Sequence, residues 1–175
     1  EDTRDYMSSG AYGRMAPEIH RWQIVEVDRN RLIEGYFEHG DIDFKLLGYT
    51  TGLDPVHFTT PPDVTPTTTA AWSTVDVSSY VDSDADGVIL LVDSVTSTDQ
   101  VYGVRESGST YSTTNRELED YGNSMYLVGI DASDRFEVYV ASTDVKVYLV
   151  GQTKGSVLYY KDPVAVTDPA TGSYQ

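Results

Sequence analysis

The run Asp82-Ser83-Asp84-Ala85-Asp86-Gly87 sets three carboxylates at alternate positions ahead of a glycine. That spacing lets hard oxygen ligands converge on one cation, and the glycine permits the sharp turn such a loop needs. Ile89 stands at the eighth position and Asp93 at the twelfth. The pattern therefore points to a structural calcium site made by Asp82, Asp84, Asp86 and Asp93, with no other cofactor expected. Two features pull the other way. The twelfth ligand is normally the longer, bidentate glutamate, and residues 88–92 read as a strand where a calcium loop of this type leads into a helix. The competing reading is an acidic turn that feeds a strand.

Other catalytic chemistry finds little support. The chain has no cysteine, which removes disulfides, thiol catalysis and thiolate metal sites together. His20, His39 and His57 are far apart and fall in no metal-ligand spacing. No serine sits in a nucleophile-elbow pattern, and no glycine-rich phosphate loop is present. Glu34 and Glu137 could suggest a paired-carboxylate glycosidase. They occupy equivalent places in two copies of a repeat, however, so a repeated surface or edge residue explains them better. The chain is not expected to be an enzyme.

That repeat organises the sequence. Residues 24–52 align without a gap on residues 127–155, at an offset of 103. Identical pairs include Asp28/Asp131, Glu34/Glu137, Tyr36/Tyr139, Asp41/Asp144, Gly48/Gly151 and Gly52/Gly155. Apolar positions match as well, as in Ile33/Phe136 and Phe44/Val147. The later copy has residues 71–122 ahead of it, whereas the earlier has only residues 1–23. The expected organisation is a partial β-sandwich repeat over 1–52, a Pro/Thr-rich linker over 53–70, a complete repeat over 71–163 and an extended tail over 164–175. With Glu1 as its first residue, the chain also reads as a processed piece of something longer. A single divergent domain with another fold at its N-terminal side is the alternative.

The elements that would hold these residues are strands. Phe136, Val138 and Val140 alternate with Glu137 and Tyr139, and Val145, Val147 and Leu149 alternate with Lys146 and Tyr148. Period-two patterning of this kind marks strands with one buried face. Ser142-Thr143-Asp144 between the two runs suggests a hairpin. Residues 87–96 and 100–106 suggest a second hairpin, with further strands at 72–81, 125–131 and 156–160. Helical turns are hinted at only over 16–22 and 114–121. Short strands with frequent turn signals predict an all-β antiparallel sandwich or jelly roll.

Charge narrows the partners. There are 28 acidic and 12 basic residues, a net charge of −16. Such a surface repels phosphate backbones and anionic lipid, so nucleic acid and membrane are not expected partners. It suits either a saline setting or solubility through self-repulsion. The 14 tyrosines against 4 phenylalanines favour half-wet positions, because the ring is apolar and its tip polar. Tyr36 and Tyr139, with Glu34, Glu137 and the rare cation Arg105, are the candidate contact residues. A solvated sheet face carrying tyrosine for its β-propensity is the plainer reading of the two tyrosines.

The stretches Gly87 to Leu90, Gly103 to Ser109 (GVR-x-x-GS), Val128 to Asp131 and Glu137 to Gly151 resemble β-sandwich repeat modules of tailed-phage virion structural proteins. The resemblance spans about residues 71–155, with a half copy over 24–52. It implies a virion component, such as a capsid decoration, fibre or tail-associated protein, and it carries no catalytic residues. The acidic loop and the truncated first copy depart from the pattern. The expected function is a non-enzymatic structural role at a virion surface or outside the cell, by multivalent packing with further copies or other structural proteins. The alternative is an extracellular β-sandwich module that binds carbohydrate or a receptor, for which coplanar exposed aromatics would be the sign.

Overall fold

The structure is a computed structural model that describes residues 56–58, 60–112, 116–118, 122–155, 157 and 159–162. Its strands are β1 (Val56–His57), β2 (Trp72–Asp76), β3 (Ala85–Ser94), β4 (Gln100–Glu106), β5 (Arg116–Leu118), β6 (Asn123–Gly129), β7 (Arg135–Val140) and β8 (Val145–Lys154). They form two antiparallel sheets, in the orders β1-β8-β3-β6 and β2-β7-β4-β5. The three-stranded cores β8-β3-β6 and β2-β7-β4 pack as a sandwich, with the short β1 and β5 at their edges. No helix occurs among the described residues.

Patterning explains the layers. Phe136, Val138 and Val140 of β7 are fully buried, as are Val145, Val147 and Leu149 of β8 and Val88, Leu90 and Val92 of β3. These nine side chains belong to one core cluster between the sheets. Removing each from water contributes roughly 1.5–3 kcal/mol. The run VILLV of β3 is apolar on both faces because β3 is the central strand of its sheet. Its other face packs Ile89 and Leu91 on Val150, beside Met125 and Tyr148.

Neither expected hairpin exists. β7 pairs with β2 and β4, whereas β8 pairs with β3 and β1. The turn at 141–144 therefore crosses from one sheet to the other. β3 and β4 are likewise split between sheets. Alternation says only that one face of each strand is buried. Two strands facing a shared core across a corner satisfy it as well as two strands side by side.

Two further expectations meet a different outcome. Part of the helical hint at 114–121 is β5, because Leu118 is 1% exposed in the core and its strand pairs with β4. Propensity yields to a buried tertiary position there. Among residues 156–160, the described ones are not strand. Tyr159 instead lies across Gly87 and Gly129 of the neighbouring strands β3 and β6, where a side chain at Gly129 would come within 2.7 Å of the tyrosine Cβ. Within 53–70, β1 and the bridge Asp63–Tyr148 run along the free edge of β8. The hydrogen bonds Phe58 N to Val150 O, Leu149 N to Pro62 O and Val64 N to Val147 O, at 3.0, 3.0 and 2.8 Å, attach the segment to the sandwich. The first copy of the repeat, with Glu34, Tyr36, His20 and His39, lies outside the described residues.

Candidate functional site

The outer face of the β2-β7-β4 sheet collects the polar and aromatic residues of its strands. Cross-strand register sets Trp72 beside Tyr139 and Tyr139 beside Gly103, and one step along it sets Thr74 beside Glu137 and Glu137 beside Arg105. Side chains alternate along a strand. All of these therefore project away from the face that carries Phe136 and Val138.

Arg105 ties the group together. Its Nε donates to Glu137 Oε2 at 2.5 Å, and its Nη1 donates to the carbonyl of Tyr111 at 2.6 Å. Its Cζ lies 3.9 Å from the centroid of the Trp72 ring, within range of a cation–π attraction. The Trp72 and Tyr139 rings are 6.0 Å apart and tilted by 57°. The Arg105 and Glu137 side chains are only about 15% exposed. Partial burial strengthens such a charge-assisted pair over one held in water. Gly108, at φ 72°, turns the chain so that its N–H faces Glu137 Oε1 at 3.4 Å. Only a residue without a Cβ adopts that conformation freely.

The loop after β4 is fastened from below as well. Asp162 Oδ1 accepts from Ser109 Oγ, Thr110 N and Tyr111 N at 2.7, 2.8 and 3.2 Å. The Ser109 hydroxyl, followed by the Thr110 amide, holds the Asp162 carboxyl below its usual range. Asp131 holds the same end of the sheet, beside the start of β7. Desolvation raises its pKa, yet donors from Arg135, Ser133 and Ser107 outweigh this and bring it to about 2. The GVR-x-x-GS segment thus supplies a fixed frame: Arg105 anchors the aromatic cluster, Ser107 reaches Asp131, and Ser109 reaches Asp162.

Of the five candidate contact residues, Arg105, Glu137 and Tyr139 come together here, while Glu34 and Tyr36 lie outside the described residues. Sequence reasoning did not single out Trp72. Its signal is an outward phase on β2, shared with Thr74 and Asp76. The arrangement sets one carboxylate against one guanidinium beside two aromatic rings.

The acidic loop is not gathered around a cation centre. Lys154 Nζ sits 2.6 Å from Asp82 Oδ2 and 3.0 Å from Asp84 Oδ1. Gln152 Nε2 also donates to Asp82 Oδ2 at 2.7 Å, and Asp86 Oδ1 accepts from Thr153 Oγ1 at 2.6 Å. The Lys154 ammonium, then Gln152, hold the Asp82 carboxyl below its ordinary value. Asp93 cannot join them, because a strand rises about 3.3 Å per residue and seven residues of β3 separate it from Asp86. Among the described residues, no group of three His, Cys, Asp or Glu is placed to hold a metal ion. In this structure a lysine on β8 occupies the place between the first two carboxylates. Asp93 is 5% exposed on the outer face of β3 and its Oδ1 has no hydrogen-bond partner. Burial pushes its carboxyl up to about 6, against a smaller opposing effect of the Ser94 N–H.

No family model, curated protein or solved structure matches the chain.

Proposed function

We propose that the chain is a non-enzymatic structural component of a virion, a decoration, fibre or tail-associated protein, that acts by packing on a larger assembly. The observation that carries this reading is the outer-face cluster of Trp72, Tyr139, Arg105 and Glu137. Aromatic residues and arginine, half-buried and held rigid, are the side chains that dominate protein interfaces. The cluster costs little further ordering on contact, since Arg105 is already fixed by Glu137, Trp72 and the Tyr111 carbonyl.

The strand orders β1-β8-β3-β6 and β2-β7-β4-β5 support a jelly roll, an architecture found in viral capsid proteins and also in lectins and cupins. Fold alone does not choose among these, so the reading rests on the face. A sugar platform needs a free ring face. Here Arg105 covers one side of Trp72 and the neighbouring tyrosine is tilted by 57°, which favours packing over carbohydrate binding. The likeness of residues 24–52 to 127–155 supports a tandem array, whose further copies would repeat the contact.

Antibodies raised against residues 71–163 should decorate virus particles from the same source. Quantitative mass spectrometry of those particles should give a copy number set by the particle's symmetry. Absence of the chain from particles purified to constant composition overturns the reading.

A further inference from the structure

β2 is an open edge. Among the described residues it pairs on one side only, with β7. An open strand presents main-chain donors and acceptors to any chain that can lie alongside it. Natural edges are usually blunted by lysine, proline or a bulge, and the sequence of β2, Trp-Ser-Thr-Val-Asp, contains neither residue while its pairing with β7 runs without a register shift.

Beside this edge lies a groove of about 370 Å³, with Ser73 to Asp76 on one wall and Asp63 to Thr68 on the other. The far wall is fixed, because Val64 N donates to Val147 O and Val147 N donates to Thr65 Oγ1, at 2.8 and 2.9 Å. The chain turns from one wall to the other at Ala70, whose φ is 56°. That conformation is strained for an L residue and persists where its surroundings enforce it. The Ala70 N–H is fastened to Val140 O at 2.7 Å. The walls are thus held apart by structure and not by chance.

We propose that this groove takes an extended, basic segment of a partner protein, which adds to β2 as a further strand. Charge selects the partner. The lining holds Asp63 and Asp76 and no lysine or arginine. The nearby Arg135 is engaged by Asp131, its Nη2 lying 2.9 Å from Oδ2. A second copy of this chain, also at −16, is repelled, whereas alternating Lys/Arg and small apolar residues suit the site. Their cations would meet Asp63 and Asp76, and their apolar side chains would meet Val64 and Val75. Main-chain bonds supply affinity in this mode and alternate side chains supply specificity. The proposal goes beyond the outer-face cluster, since neither Arg105 nor Tyr139 lines the groove.

The test is calorimetric titration of the full chain with four synthetic hexapeptides: alternating Lys-Val, two forms of it N-methylated at every second residue in one phase or the other, and alternating Glu-Val. The Lys-Val peptide should bind, and each blocked main-chain donor that β2 uses should weaken binding roughly fivefold. The Glu-Val peptide should not bind. Asp63→Asn with Asp76→Asn should weaken the Lys-Val peptide about tenfold, while the amide oxygens still cap Thr65 and Ser78. Equal binding of both N-methylated forms overturns strand addition. Binding of Glu-Val, an unchanged double variant, no binding at all, or self-association that N-methylated peptide cannot disturb overturns the basic partner. None of these outcomes bears on whether the chain is found in particles.

Discussion

Arg105 sits over the indole of Trp72 while its Nε is bonded to Glu137. One side chain thus joins three strands, because Trp72, Glu137 and Arg105 come from β2, β7 and β4. Lysine cannot reproduce the planar fork that makes both contacts and also reaches the Tyr111 carbonyl. Arg105→Lys should therefore cost about 1–2 kcal/mol, read as a lower denaturation midpoint with an unchanged slope. Glu137→Gln should cost less on its own, and the two effects should fall short of additivity in a double-mutant cycle. Full additivity would mean that the pair is not coupled.

Tyr159 closes over the two glycines of β3 and β6, and its hydroxyl lies 2.8 Å from Thr153 Oγ1. Gly129→Ala drives a methyl group into the tyrosine Cβ, and overpacking of this kind costs roughly 1–3 kcal/mol. Tyr159→Ala removes the obstacle. Thermal melts should then show Gly129→Ala as harmful in the parent chain and nearly neutral beside Tyr159→Ala. Equal cost in both backgrounds would place the damage in the strand itself.

The residues that could be read from sequence are those whose role depends on period two alone. Phe136, Val138, Val140, Val145, Val147 and Leu149 were legible as core because alternation fixes which face is buried. Arg105, Glu137 and Tyr139 stood out in the sequence as a rare cation and a repeated acid and tyrosine in an acidic chain, and the structure brings them together. Sheet membership was not legible, since a corner and a hairpin leave the same pattern around Ser142-Thr143-Asp144. Trp72 was missed because its place beside Tyr139 depends on the pairing of β2 with β7, which are more than sixty residues apart in the chain. The surroundings of the acidic loop were hidden for a similar reason. Its spacing suits a cation, but Lys154, about seventy residues onward, already lies against Asp82 and Asp84.

That lysine places a cation of the chain itself beside the two carboxylates. Millimolar calcium or a chelator should leave the melting temperature unchanged, because a ligand that binds only the folded state would raise it. Lys154→Met should remove the internal cation and leave Asp82 and Asp84 facing each other. Calcium should then raise the melting temperature of the variant while leaving the parent unaffected. A rise in the parent chain would restore the metal reading.

Asp93 and Asp131 pull stability in opposite directions with pH. Asp131, lowered to about 2, contributes stability that is present above the ordinary carboxyl range and is lost as pH falls toward 2. Asp93 is the reverse case. Its folded-state value of about 6 lies above the unfolded 3.8, so the folded chain holds the proton more tightly. Stability is then greatest below pH 4 for this group and declines as pH rises from about 4 to 6, by about 3 kcal/mol. Above pH 6 the loss is complete and the curve levels. Asp93→Asn keeps the shape without the charge. The variant should match the parent near pH 4, exceed it by that margin at pH 8, and lose the decline between. A parent whose stability rises steadily from pH 4 to 7, or a variant with the same profile, would show that Asp93 is ionised without penalty.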